Sequence, residues 1–493
     1  MKPASGPNPR VFLWLAAAIL SGAGVTALEM VAVRLFAPYF GYSIYVWGTT
    51  IGVVLAAMVA GYAIGGRLAA HERAEERVFF AILAGATWQA LALMAMRFVL
   101  PPLAEMGEVT GVALGALMLF APSMAALAAT GPVTVRLCAG VAPVGQAAGW
   151  ISAVSTAGSL AGIMGTTFWL LPEVGTEGTL RALCVTSFVT AGAGLVLVPG
   201  HRRLALPIAA APAALLLLAP GLGWAEGTVW TAESAYNLVR VVQLGGQRML
   251  QLNHPSSLHT VREGRGGWTG FYYDSFALGP LLVPARRALV LGMGAGASIQ
   301  TLRLTGPSID IDAVEIDPRV VEAASRWFDV DIVADPLLRV HVMDGRRFLA
   351  RDRGTYELVQ FDVYQGGPYV PFQLVTEECF RLVRARMGDD ALLMMNVYDR
   401  SADSAVLSRL GATLRRVFPS VMVGQTGAGN FMLFAFTRVP SAERLAFQSP
   451  VLHSNASVRK LVLREVAVAD GAPVFTDDLA PIEEMTRRML AER

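Results

Sequence analysis

The stretch Ala288-Leu289-Val290-Leu291-Gly292-Met293-Gly294-Ala295-Gly296 decides the fold of the second half of the chain. Four apolar residues suit a short strand buried on both faces, and three alternate glycines follow without a break. Such glycines allow a tight turn and close approach of a ligand to the backbone, and the pattern from Ala297 is helical. Working outward, a second strand ends at Glu315, 23 residues beyond Gly292, and Asp317-Pro318 opens the next helix. An acid about 20 positions past the first glycine is placed to accept from ribose hydroxyls. A third strand, 339–343, ends in Asp344-Gly345, and a fourth, 358–361, ends in Asp362. In open α/β sheets ligands bind at the C-terminal ends of the strands. One acid there would read as a helix cap, whereas three in register point to a polar ligand. Further strands are expected at 391–397 and 431–437, with a helix over 402–417 between them.

Ahead of the glycine loop, Leu238-Val239-Arg240-Val241-Val242 and Met249-Leu250-Gln251-Leu252 flank Gly245-Gly246. Two glycines between β-type runs predict a hairpin. The polar, glycine-rich stretch that follows, up to Gly270, reads as a loop.

The first half has a different character. Hydrophobic residues are 54% of the 493 and charged residues 16%, against about 25% charged in a soluble protein, so part of the chain belongs out of water. Seven apolar runs are candidate spans: 11–35, 44–66, 78–100, 109–137, 147–171, 178–199 and 204–222. The first follows Lys2 and Arg10, as a signal peptide would, but it is too long and six more follow it. Gly61 with Gly65 and Gly158 with Gly162 have the four-residue spacing that lets helix backbones approach. Glu29 lies deep in the first run, and an intramembrane acid is either functional or hydrogen-bonded to a neighbouring helix. Arg34 lies nearer the end of that run, on another helix face. The excess of arginine in alternate loops places the N-terminus in the cytoplasm. The sequence leaves open which side the second half faces. The expected location is the cell (inner) membrane, as a multi-pass protein with the lipid bilayer as a partner.

A net charge of +2 and the lack of a basic stripe exclude a nucleic-acid partner. Cys138, Cys184 and Cys379 form no C-x-x-C pair, and the histidines, His254 and His259 among them, have no ligand spacing, so no metal is expected.

Several of these segments match a known family. The second half resembles spermidine synthase, and the whole chain resembles the membrane-fused spermidine synthase-like proteins of bacteria. The resemblance is carried by Glu315-Ile316-Asp317-Pro318-Arg319-Val320-Val321, Glu233-Ser234-Ala235-Tyr236 and Thr476-Asp477-Asp478-Leu479-Ala480-Pro481-Ile482-Glu483. In the first run it is carried by Ser21-Gly22 through Glu29 with Arg34-Leu35. It implies a seven-stranded, methyltransferase-like Rossmann-type domain preceded by a small β-hairpin domain, behind a bundle of about seven membrane helices. The corresponding segments are an N-terminal tail (1–10), the helix bundle (11–222), a small β-rich part (223–275), the nucleoside-binding domain (276–440) and a C-terminal extension (441–493).

The resemblance also implies an activity: transfer of an aminopropyl group from decarboxylated S-adenosylmethionine to putrescine, giving spermidine and methylthioadenosine. Gly292, Gly294, Gly296, Glu315, Asp344 and Gly345 would hold the donor, with Glu315 on the ribose and Asp344 on the adenine amine. Asp362 would be the general base and Tyr272 a gate over the acceptor channel. Asp274, Tyr364 and Gln365 would line the polyamine site, and a homodimer is left open. Three positions depart from the family pattern. Ala295 stands where an aspartate holds the donor amine, Gln365 where a second aspartate follows the catalytic one, and a change near Ser257 replaces a glutamine. Each change removes a partner for a cationic amine. Two alternatives stay open: an S-adenosylmethionine-dependent methyltransferase, or a non-catalytic polyamine or nucleoside sensor or transporter.

Overall fold

The computed structural model describes residues 9–198, 226–253, 257–263, 267–364, 367–427, 429–446, 455–468 and 471–491, with isolated positions 207, 210, 214 and 452. The expected span at 204–222 and Gln365 therefore lie outside the described residues, the isolated positions apart. The chain divides into two units, Met1–Trp224 and Ala225–Arg493.

The first unit is helical: α1 (Pro9–Phe40), α2 (Ile44–Ala69), α3 (Ala74–Ala104), α4 (Glu108–Leu119), α5 (Ala121–Ala128), α6 (Thr130–Ala139), α7 (Val144–Gly165) and α8 (Leu171–Leu197). The helical bundle expected in the first half is present, and the described residues bear on six of its seven expected spans. Among the described residues four helices are long and apolar enough to cross a membrane, or five if the pair Glu108–Leu119 and Ala121–Ala139, bent by 51°, is one span. The expected fifth and sixth spans are the two arms of one 54-residue stretch, Val144–Leu197. A π-helical turn at Thr166–Leu170 carries the chain through, and Gly175, at φ 74°, breaks it. Unbroken, 54 residues would run about 80 Å, far more than a bilayer of about 30 Å, so the break at Gly175 separates two arms of ordinary length.

The glycine pairs do what their spacing predicts. A Cβ at Gly61 would lie 2.4 Å from the Ala125 carbonyl oxygen, and one at Gly158 would lie 2.1 Å from that of Ile19. These helices touch backbone to backbone. Arg34 donates to the Tyr42 hydroxyl at 2.8 Å.

The second unit contains two sheets. The smaller is an antiparallel meander of β1 (Thr228–Glu233), β2 (Leu238–Leu244), β3 (Gln247–Leu252) and β4 (Leu258–Glu263). Gly245 and Gly246, both at positive φ, turn β2 into β3. The stretch read as loop up to Gly270 contains β4, a correction. The alternation Leu258-His259-Thr260-Val261-Arg262 is a strand pattern too short to stand out beside the glycines that follow.

The larger sheet has strands β5 (Arg287–Leu291), β6 (Asp310–Glu315), β7 (Leu338–Val342), β8 (Tyr356–Phe361), β9 (Met387–Tyr398), β10 (Ser420–Gly427), β11 (Asn430–Phe436) and β12 (Arg464–Glu465). Their order is β12-β10-β11-β9-β8-β5-β6-β7, and β5 through β9 pair in parallel while β11 is antiparallel to both its neighbours. The two-residue β12 extends the expected seven strands to eight. Helices α9 (Ala297–Thr305) and α10 (Pro318–Trp327) follow β5 and β6. Then α11 (Gly345–Arg351), α12 (Glu377–Arg384) and α13 (Ala405–Arg415) follow β7, β8 and β9, and α14 (Ile482–Ala491) lies near the end. Apolar cores fill both sheet faces, one containing Val290, Leu358, Met394 and Phe276, the other Leu289, Val359, Phe361 and Phe380.

Candidate active site at the strand ends

The strand order reverses at β5, and the glycine loop after β5, Glu315 at the end of β6 and Asp362 after β8 all lie at the C-terminal ends of neighbouring parallel strands. Gly292 has φ 80°, and a Cβ there would lie 2.0 Å from the carbonyl oxygen of Asp362, so only glycine lets the loop run against the end of β8. Gly294 and Gly296 also lie at positive φ, and Gly296 is the residue before α9. The Gly294 N–H donates to Glu315 Oε2 at 3.0 Å, and the Asp317 N–H donates to Oε1 at 3.1 Å. Glu315 thus sits beside the glycine loop, and its withdrawal from water pushes its carboxyl up to about 7, against the pull of those two N–H groups.

Asp362 ends β8. Its Oδ2 accepts from the Tyr272 hydroxyl at 2.9 Å and its Oδ1 from the Asn396 Nδ2 at 2.9 Å. Asn396 is fixed in turn by Asn430, whose Nδ2 donates to its Oδ1 at 3.0 Å. Withdrawal from water raises the Asp362 carboxyl to about 6, with the two donors working the other way. The Tyr272 ring leans on Tyr273 with centroids 4.0 Å apart, and both phenols are pushed up by burial and by the Asp362 charge. The Tyr364 hydroxyl donates to the Asn396 carbonyl at 3.2 Å and accepts from the Tyr398 N–H at 2.8 Å.

Other expected residues have different surroundings. Asp344 caps α11, accepting from the Arg347 N–H at 2.8 Å, and Gly345 is the first residue of that helix. Asp274 is 2% exposed. Its Oδ1 accepts from the Thr269 N–H and hydroxyl, and its Oδ2 from the Gly270 N–H and the Asn455 Nδ2, at 2.7–2.9 Å. Ala295 is fully buried, and its N–H donates to Thr260 Oγ1 at 3.0 Å, so β4 covers the loop at this position.

Three residues at this edge escape a reading of the sequence: Asn396, Asn430 and Thr260. Asp317 is fully buried, caps α10 and accepts from Ser234 Oγ at 2.7 Å and Asn237 Nδ2 at 2.9 Å, which ties the small sheet to the large one. Asn396 had a signal, as the polar residue in the run Ala391-Leu392-Leu393-Met394-Met395-Asn396-Val397. The C-terminal extension also reaches this domain, where Asp477 accepts from Arg346 Nη1 on α11 and from the hydroxyl of Thr376, the residue that caps α12.

No family model matches the chain. Its sequence is 31% identical over 197 residues to a probable polyamine aminopropyl transferase of Bifidobacterium longum, covering 40% of this chain and 43% of that protein. It is 26% identical over 375 residues to a polyamine aminopropyltransferase of Mycobacterium tuberculosis, covering 70% of this chain and 68% of that protein. The latter match is longer than Ala225–Arg493 and so extends into the helical unit. An eEF1A lysine and N-terminal methyltransferase of Homo sapiens is 28% identical over 189 residues, 36% of this chain and 26% of that protein.

Proposed function

We propose that this spermidine synthase-like protein is an aminopropyltransferase that moves the aminopropyl group of decarboxylated S-adenosylmethionine onto putrescine or a related amine. The observation that carries the reading is Asp362: a partly buried carboxylate at the strand edge, oriented by Tyr272 and Asn396 and raised to about 6. A general base works best with a pKa near the operating pH. In the reaction the amine nitrogen bonds to the propyl carbon next to the sulfonium. The carbon–sulfur bond breaks with its electron pair going to sulfur, which leaves neutral methylthioadenosine. The nitrogen sheds one proton, and Asp362 takes it.

The nucleoside would lie along the glycine loop, with its ribose hydroxyls on Glu315 and its base toward Asp344 and Gly345. Tyr272 would stand over the acceptor, with Tyr364 and Gln365 beside it. Asp274 would serve the loop rather than the amine, since four chain donors already meet its carboxylate. The helical unit would hold the protein in the cell membrane, a reading supported by the long apolar helices.

The test uses the full-length protein in detergent with putrescine and either decarboxylated or intact S-adenosylmethionine, followed by mass spectrometry. Methylthioadenosine with an aminopropylated amine is the expected result. S-adenosylhomocysteine with a methylated amine would instead establish a methyltransferase. Neither product, with methylthioadenosine still bound, would point to a sensor or transporter.

A further inference from the structure

Gln360 lies two residues before Asp362 on β8 and is fully buried, yet neither its Nε2 nor its Oε1 has a hydrogen-bond partner among the described residues. A buried amide left unpaired at both ends is costly and calls for an occupant. Asn396, on the neighbouring strand, shows the ordinary outcome, with Nδ2 on Asp362 and Oδ1 receiving Asn430.

Strand periodicity puts Leu358, Gln360 and Asp362 on one sheet face, with Val359 and Phe361 on the other. In register, Gln360 pairs with Val290 on β5 and Met394 on β9. At about 3.3 Å per residue it lies about 7 Å deeper than Asp362. The segment covering this face begins with Tyr272, bonded to Asp362. It ends with Gly279, where a Cβ would lie 2.6 Å from the Leu358 side chain and 3.2 Å from the Met394 sulfur. Gln360 is therefore the polar group below the candidate base, between a tyrosine gate and an apolar floor.

We propose that Gln360 is a specificity residue that binds the far end of the acceptor, and that this end is an uncharged hydroxyl or carboxamide rather than a second ammonium. The inference rests on the aminopropyl-transfer reading of the site. An amide has both donors and an acceptor. A hydroxyl or carboxamide satisfies both ends of Gln360. An ammonium has only donors, so it would engage Oε1 and leave Nε2 unpaired. The sequence agrees in direction, since Gln365 also puts a neutral amide where the family resemblance calls for a carboxylate.

The experiment titrates the full-length protein, saturated with methylthioadenosine, with 4-amino-1-butanol and with putrescine by calorimetry. Wild type should bind the amino alcohol roughly tenfold more tightly, the scale of one buried hydrogen bond. Gln360→Met, similar in volume, should lose that preference while the melting temperature holds or rises. Gln360→Glu should shift the preference toward putrescine. Tighter binding of putrescine by wild type, or no binding of either amine, would overturn the proposal. So would a Gln360→Met protein with both affinities unchanged, which would reduce Gln360 to a packing residue. Turnover is read separately: a binding preference that follows Gln360 without any aminopropyl transfer would refute the enzymatic reading and leave the binding assignment standing.

Discussion

Asp274, two residues after Tyr272, and Asp362, which accepts from the Tyr272 hydroxyl, look interchangeable as acids near a candidate polyamine site. Their surroundings separate them. A carboxylate offers about four lone-pair positions. Asp274 is 2% exposed and receives four hydrogen bonds from Thr269, Gly270 and Asn455. Asp362 is partly exposed and receives two, from Tyr272 and Asn396. A saturated carboxylate frames a loop, whereas a half-saturated one that solvent reaches can meet a substrate amine. What separates structure from chemistry here is spare hydrogen-bonding capacity rather than residue type.

The sharpest way to break the comparison is Asp362→Asn. Turnover should fall by about 10²–10⁴-fold, the usual contribution of a positioned base, with methylthioadenosine affinity nearly unchanged in a direct binding assay. In wild type the acid limb of kcat should rise as pH passes about 6, because the base must be ionised to take the proton. Turnover that survives the substitution would remove Asp362 from the role.

Asp274→Asn reverses the expectation. The new amide would present hydrogens to groups that are themselves donors, so stability should drop by about 3 kcal/mol in denaturant unfolding. Turnover per folded molecule should hold. A catalytic defect with normal stability would mean that the two acids have been assigned the wrong way round.

Glu315 extends the comparison to a third acid, one that also retains accepting capacity beside the glycine loop. Glu315→Ala should weaken methylthioadenosine binding by about 2 kcal/mol. Its carboxyl is raised from the ordinary 4.5 to about 7, so the stability it contributes is complete below 4.5 and is lost as pH rises through about 7. Ribose hydroxyls favour the ionised form, so nucleoside affinity should increase over the same rise. A binding isotherm indifferent to pH would remove Glu315 from the ribose site. The smallest expected effect is that of Asn455→Ala, which takes one donor from Asp274 and should cost about 1.5 kcal/mol of stability with no change in acceptor KM.

The second unit was more legible in sequence than the first. The run 288–296 read correctly as strand, glycine turn and helix because each signal was local: apolar residues for β5, glycines at positive φ, then α9. The acids at 315, 344 and 362 do end or follow β6, β7 and β8. Four strands were missed, β1 ahead of the hairpin, β4 beside a glycine-rich stretch, β10 behind α13 and the two-residue β12, all too short or too mixed in pattern to declare themselves. In the helical unit composition identifies the apolar runs, and the backbone decides where one helix ends and the next begins. Whether Val144–Leu197 is one helix or two turns on the backbone at Gly175 and the π-turn before it.

The sequence by itself determined the two-part character of the chain, the parallel strands that end in acids, and the glycine loop against which Glu315 would be placed. These depend on composition and on neighbours along the chain. The tertiary structure alone decided which carboxylates have capacity to spare. Asn455 meets Asp274 from 181 positions away, Asn396 meets Asp362 from 34, and Gln360 is left with no partner among the described residues. Lone pairs are filled by groups distant in sequence, so which of them remain free becomes visible only when the chain has folded.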